Sequence, residues 1–155
     1  MSNVISQNRK ARHEYFIIEK YESGIVLTGT EIKSIRAGRV NFKDSYASVE
    51  EGELWLFSLH IAPYENGNYY NHKPERDRKL LMSKREIIRL NSKVREKGLT
   101  IVPLSIYLKN NRWAKVEIAL ARGKTAHDKR DDIAERDAKR NISRSLRDKG
   151  RNYED

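Results

Sequence analysis

The 155-residue sequence predicts a mainly β fold: a small closed antiparallel barrel of OB type with two or three flanking helices and a C-terminal tail that is disordered on its own. Three observations predict it. Six short segments rich in β-branched and aromatic residues are separated by Gly, Asn and charged turn residues. Helix-capping signals place two helices, and strands and helices do not alternate in the β-α-β manner of a parallel sheet. Beyond residue 122 the apolar pattern stops, which divides the chain into a folded domain over 1–122 and a charge-rich tail over 123–155.

In chain order, Asn8 to His13 is a basic lead-in and possible helical turn before the first strand, Tyr15 to Tyr21. Glu22-Ser23-Gly24 reads as a turn and Ile25 to Thr28 as a returning strand, so Tyr15 to Thr28 is expected to form a hairpin. A short helix follows, capped by Thr30 and stopped by Gly38. Ile32 and Ile35 share its buried face, while Lys33 and Arg36 point together at solvent. Ser45 to Glu50 and Leu54 to Leu59 pair around Glu51-Gly52-Glu53.

Ile61 to Lys79, with Pro63, Gly67, Pro74 and three tyrosines, is too long for a neutral connector and is expected to be a functional loop. Ser83-Lys84-Arg85-Glu86 fits a capping box, so a helix runs from Lys84 to Lys97, ends at Gly98 and buries Ile87, Leu90 and Val94. Leu99 to Leu108 and Arg112 to Ala121 form the last hairpin, with Pro103 marking an edge or a bulge. Alternation puts Val102, Leu104, Ile106 and Leu108 on one face, and Ala114, Val116, Ile118 and Leu120 likewise, leaving Trp113, Lys115 and Glu117 outward. In the tail only Ile133, Ile142 and Leu146 are large and apolar. Pairs such as Glu135 with Lys139 would support a helix once a partner neutralises the arginines.

Charge narrows the function. Thirty-two Lys and Arg against 22 Asp and Glu give +10, which favours a polyanionic partner, with nucleic acid first. Residues 1–121 carry 21 basic and 14 acidic side chains and 122–155 carry 11 and 8, so the folded part has a basic surface of its own. No apolar run is long enough to span a membrane or serve as a secretory signal, giving a cytoplasmic expectation. The absence of cysteine removes disulfides, thiolate metal sites and thiol catalysis.

Enzymatic chemistry finds little support. Gly123-Lys124-Thr125 lacks the preceding glycine of a phosphate loop, since position 118 is Ile118. His13, His60, His72 and His127 show no metal-binding spacing, and no cofactor is expected. A ribonuclease would need His13 and His127 as proton carriers beside Lys115, and nothing in the spacing brings them together.

Five islands in order, Asn8 to Tyr15, Gly29 to Tyr46, Arg78 to Leu81, Lys109 to Val116 and His127 to Arg130, closely resemble the SmpB family of tmRNA-binding proteins. The resemblance implies an OB-like barrel with a tail disordered off the ribosome, and binding without catalysis. It implies partners: the tRNA-like domain of tmRNA, the 70S ribosome and its small-subunit rRNA, and, through tmRNA, elongation factor Tu with GTP and alanyl-tRNA synthetase. It further implies a monomer delivering tmRNA to stalled ribosomes for trans-translation, its tail entering the empty mRNA channel.

Carried over by position, Glu22 and Leu81 match positions implicated in tmRNA binding and Lys115 matches an outward basic position on the last hairpin, with Lys33, Arg36 and Lys79 as further RNA-binding candidates. His127, Asp128, Lys129 and Arg130 match the segment meeting the decoding centre. The tail departs from the family pattern at Thr125-Ala126 and in its richness in acids. The rival reading from the residues is a general OB-fold translation factor or RNA chaperone without preference for tmRNA.

Overall fold

The computed structural model describes residues 2–65, 71–125, 129–130 and 133–141. Two compact units are present, Met1–Gly123 and Lys124–Asp155. The first contains β1 (Ser2–Gln7), α1 (Arg9–Glu14), β2 (Tyr15–Ile25), α2 (Gly29–Arg36), β3 (Val40–Asn41), β4 (Tyr46–Glu50), β5 (Glu53–Phe57), β6 (His60–Ile61), β7 (Arg78–Leu81), α3 (Lys84–Lys97), β8 (Thr100–Lys109) and β9 (Trp113–Gly123). It is mainly β. The large sheet has the order β1-β8-β4-β5-β7-β2-β9, and β8 also pairs with β9, so the ladder runs from β8 round to β9 and back to β8 as a ring. Every pairing is antiparallel.

Local signals set several elements as expected. α3 spans Lys84–Lys97, its first turn capped by Ser83, whose Oγ accepts from the Glu86 N–H at 3.3 Å. Gly98 ends it in the left-handed region, φ 61°, where a side chain would be strained. The β4–β5 connection has Glu51 and Gly52 at φ 51° and 78°, the pair of positive angles a two-residue hairpin turn requires.

Other expectations are corrected. The hairpin over Tyr15 to Thr28 does not exist: β2 is one 11-residue strand, and Glu22, Ser23 and Gly24 pair with Glu117, Val116 and Lys115 of β9. Long-range partners override the turn composition here. Ser23 is buried and its Oγ donates to the Val116 carbonyl at 3.0 Å. Strands β1 and β7 fall where no strand was expected, both held by non-local pairing with β8, β5 and β2. The ends of the expected loop over Ile61 to Lys79 are thus sheet, several of its described residues are tied down, and its residues 66–70 lie outside the described ones. The Asn71 side chain exchanges two hydrogen bonds with the Tyr64 backbone. His72 bridges the Ile61 carbonyl and Thr30 hydroxyl at 2.8 and 2.9 Å. Because a carbonyl only accepts, Nε2 of His72 donates to Ile61, leaving Nδ1 to the Thr30 hydroxyl.

Pro103 marks a bulge. Pro103 pairs with Ile118 and Ser105 with Glu117, so Leu104 is the extra residue and side-chain alternation reverses across it. Val102 and Leu104 therefore pack with Ala11, Ala119 and Ala121 outside the main core, while Ile101 and Ile106 join Val116, Ile118 and Leu120 inside it. The simple alternation expected for β8 fails at this point. Asn8 seals the bulge: its backbone N–H reaches the Leu104 carbonyl at 2.7 Å, its side-chain amide reaches the Pro103 carbonyl at 2.8 Å, and its Oδ1 caps α1.

The α2 helix is capped by Thr28, not Thr30, in a full capping box with Glu31. Its buried face is Glu31, Ser34 and Ile35, with Ile32 only half buried. This face carries a charge into the interior. The Glu31 carboxylate accepts from the Arg78 Nε, from Arg76 at 2.6 Å and from the Thr28 backbone N–H at 2.8 Å. Arg78, also fully buried, donates its remaining nitrogens to the carbonyls of Leu59 at 2.6 Å and Pro74 at 3.1 Å. Burial pushes the Glu31 carboxyl up, but the bonds from Arg76, Thr28 and Arg78 outweigh it and hold the group below its ordinary range. Burial also presses the Arg78 guanidinium down, against the pull of Glu31.

In the second unit, backbone at 129–130 and 133–141 is helical, so these described residues of the tail hold local structure; 126–128, 131–132 and 142–155 lie outside the described residues. The Glu135–Lys139 ion pair spans one turn at 3.4 Å, and every side chain from 133 to 141 is exposed. The propensities of this segment thus yield a solvated helix.

Candidate nucleic-acid interface

Ring registers decide which side chains share a surface, because residues opposite one another across an antiparallel pair point the same way. Glu22 lies across from Glu117, and Gly24 from Lys115, on β9; Gly24 also lies across from Leu81 of β7. Lys115 in turn faces Tyr107 of β8, and Trp113 faces Lys109. Glu22, Leu81 and Lys115, far apart in sequence, therefore occupy adjoining rungs of the outward face. Leu81 is 51 % exposed and Trp113 62 %. Lys79 continues the same face from β7 onto β5, across from Trp55, and donates to Glu53 at 3.0 Å.

Gly24 has a packing role at this spot. A Cβ there would lie 3.2 Å from the Leu81 Cβ, so the missing side chain lets Leu81 settle across β2. Beside it, Glu22 does not cap a turn. Its Oε2 accepts from the Tyr107 hydroxyl and its Oε1 from Lys109 Nζ at 3.3 Å. The Tyr107 bond, followed by Lys109 and Lys115, holds the Glu22 carboxyl below its ordinary value against the opposing effect of burial. Burial and the acceptor Glu22 drive the Tyr107 hydroxyl well above the usual phenol range.

Each Glu22 oxygen keeps capacity for one more donor. The arrangement is an ionised acceptor between cations, bordered by exposed Leu81 and Trp113. Such a surface can neutralise phosphates, accept from base amino groups or ribose hydroxyls, and lay apolar side chains against unpaired bases. Replacing Tyr107 with Phe is expected to raise the Glu22 pKa toward the ordinary glutamate range, measurable by carbon-detected NMR titration of the carboxyl. An unchanged Glu22 titration would show that Lys109 and Lys115 suffice.

The remaining candidates fall elsewhere. Lys33 and Arg36 are exposed on α2, outside the ring's ladder, and Lys33 Nζ sits 5.1 Å from the centre of the Tyr64 ring. Lys129 and Arg130 lie in the second unit, with the Lys129 N–H bonded to the Thr125 carbonyl at 3.0 Å. His127 and Asp128 lie outside the described residues. Sequence reasoning missed Tyr107 and Lys109. The only available signal was that both share strand parity with each other in a hairpin whose register sets them beside Lys115.

His13 lies on α1, which packs through Ala11 beside Ala119 and Ala121, whereas Lys115 stands with Glu22 and Tyr107; His127, the other proton carrier that RNA cleavage would need, lies outside the described residues. No group of His, Asp or Glu suited to a metal is present among the described residues. No helix among them is long and apolar enough to cross a membrane.

Comparison with known proteins adds an independent line. The family model described as SmpB protein matches residues 5–148. The SsrA-binding protein of Carboxydothermus hydrogenoformans is 60 % identical over 147 residues, covering 95 % of this chain and 98 % of the relative. That of Desulfitobacterium hafniense strain DCB-2 is 61 % identical over 150 residues, with 97 % and 96 % covered. A solved structure described as "tmRNA-SmpB: a journey to the center of the bacterial ribosome" contains a chain 53 % identical at a TM-score of 0.68, covering 83 % of this chain and 93 % of that one.

Proposed function

Because the chain belongs to the SmpB family, we propose that it binds the tRNA-like domain of tmRNA and associates with the ribosome as the rescue adaptor of trans-translation. One observation carries the reading. Glu22, Leu81 and Lys115, three positions singled out by family resemblance, stand on adjoining rungs of one exposed face. A basic protein of +10 supplies the field that draws RNA to that face. In this reading Lys79 extends the interface, and Lys33 and Arg36 add phosphate contacts from α2.

The ring of pairings supports a closed barrel of OB type as the scaffold. The division at about residue 122 assigns tmRNA binding to the barrel and the ribosomal mRNA channel to the tail, with His127, Asp128, Lys129 and Arg130 meeting the decoding centre. Elongation factor Tu with GTP and alanyl-tRNA synthetase act through tmRNA, and the protein works as a cytoplasmic monomer that binds and does not catalyse. The test is affinity at physiological salt for a tmRNA tRNA-like domain against an ordinary elongator tRNA. We expect clear preference for the former. Equal binding would replace the adaptor with a general translation factor or RNA chaperone.

A further inference from the structure

A second charged feature borders the face just described. Between α1 and the outer rungs of β2, β8 and β9 lies a cleft of about 270 Å³ lined by Gln7, Arg9, Arg12, Lys20, Ser105 and Glu117, among others. Three cations face one carboxylate. Arg9 and Arg12 are three apart on α1 and so share one side of it. Lys20 precedes Glu22 by two residues, on the same side of β2, and Glu117 lies directly across from both Glu22 and Ser105. The cleft therefore begins one rung from the Glu22–Lys115 surface, about 7 Å along the strands.

We propose that this cleft binds a phosphodiester segment of the same RNA, carrying its backbone from Lys115 and Glu22 toward α1. The inference rests on the RNA-binding reading above and adds a site that the carried-over residues do not include. Charge and size both select the ligand. The volume lies below the roughly 300–1,000 Å³ of pockets that enclose small molecules, whereas a strand of backbone crossing the surface need only set a phosphate or two into it. Two guanidiniums match phosphate oxygens in a planar, two-pronged way, and Gln7 and Ser105 supply neutral donors. Placement is fixed in advance. Asn8 ties the start of α1 to the Pro103 and Leu104 carbonyls at 2.8 and 2.7 Å, which holds both arginines over the cleft.

The experiment measures the affinity of a tmRNA tRNA-like domain for the full-length protein across a salt series. Four variants are compared with wild type: Arg9→Glu with Lys20→Glu, Arg9→Ala with Lys20→Ala, Glu22→Gln, and a charge-matched control, Arg85→Glu with Lys97→Glu, on exposed positions of α3. Arg9 and Lys20 are exposed, so melting temperatures should stay at the wild-type value, and the alanine pair serves if the reversal pair does not fold.

We expect the cleft reversal to weaken binding at least about tenfold and to make the dependence of log K on log salt shallower by about one to two, with a smaller loss for the alanine pair and little for the control. Wild-type affinity and slope in the cleft variants, while Glu22→Gln weakens binding, would overturn the cleft and leave the RNA-binding reading standing. An equal loss in the α3 control would reduce the effect to net charge and also overturn it. Failure of the wild type to bind RNA would remove the reading on which the cleft depends.

Discussion

Replacing Glu31 with Ala should destabilise the folded domain by about 3–5 kcal/mol, among the largest effects of any single substitution in this chain. Denaturant unfolding followed by circular dichroism measures it. The carboxylate and Arg78 are both fully buried, and Arg76 joins them, so removing the anion strands a guanidinium in the interior without its counter-charge. The pair is not itself a large source of stability, since taking two charges out of water costs about what their attraction returns.

The double change Glu31→Leu with Arg78→Met should therefore cost less than the sum of the two single changes. Recovery will be partial, because the Leu59 and Pro74 carbonyls lose their donor. Acid adds a signature. The Glu31 pKa is depressed on folding, so its contribution is fully present above the unfolded-state value and fades as pH falls through the lower folded-state value. The stability gap between wild type and Glu31→Gln should be constant near neutrality and narrow in acid. A gap that widened in acid would mean that the group is protonated in the native state.

The second large effect concerns function. Ending the chain after Gly123 should abolish peptide tagging in a reconstituted translation system and change affinity for the tRNA-like domain by less than about threefold. Physical grounds for the separation are direct. Both clusters of buried apolar residues lie at or before Ala121, and the Glu22–Leu81–Lys115 face belongs to the ring. Truncation removes 10 cations and 8 anions, a small change in net charge and hence in long-range attraction of RNA. Loss of RNA affinity with the tail would refute the division of labour. Retained tagging would place the ribosomal role in the ring-forming unit.

How much was legible follows from where each signal resides. α3 was readable to the residue because its cap, apolar stripe and terminal glycine all sit within the segment. The β4–β5 and β8–β9 hairpins were readable for the same reason. β2 was not: Glu22-Ser23-Gly24 has turn composition, and only β9, some ninety residues on, holds it straight. The buried face of α2 was misread because a helical pattern of apolar residues cannot show that Glu31 will meet arginines 45 and 47 positions away. The site divides similarly. Glu22 and Leu81 came from resemblance alone, alternation showed only that Lys115 points outward, and the common face of all three is a property of register across β7, β2 and β9. Tyr107 and the arginine cleft emerged only from that register and from the bulge at Leu104.

The pairing of β1 with β8 bears on how the molecule is made. Asn8 and the Pro103 carbonyl that it contacts are 95 residues apart, and Asn3 pairs with Leu108. During synthesis the first strand leaves the ribosome long before its partner, with its backbone donors and acceptors unpaired. α1 likewise waits for the bulge that anchors it. Pairing of β1 is thereby deferred until nearly the whole domain has been translated, and the β8–β9 pairing that completes the ring comes later still, because β9 is the last strand of the domain.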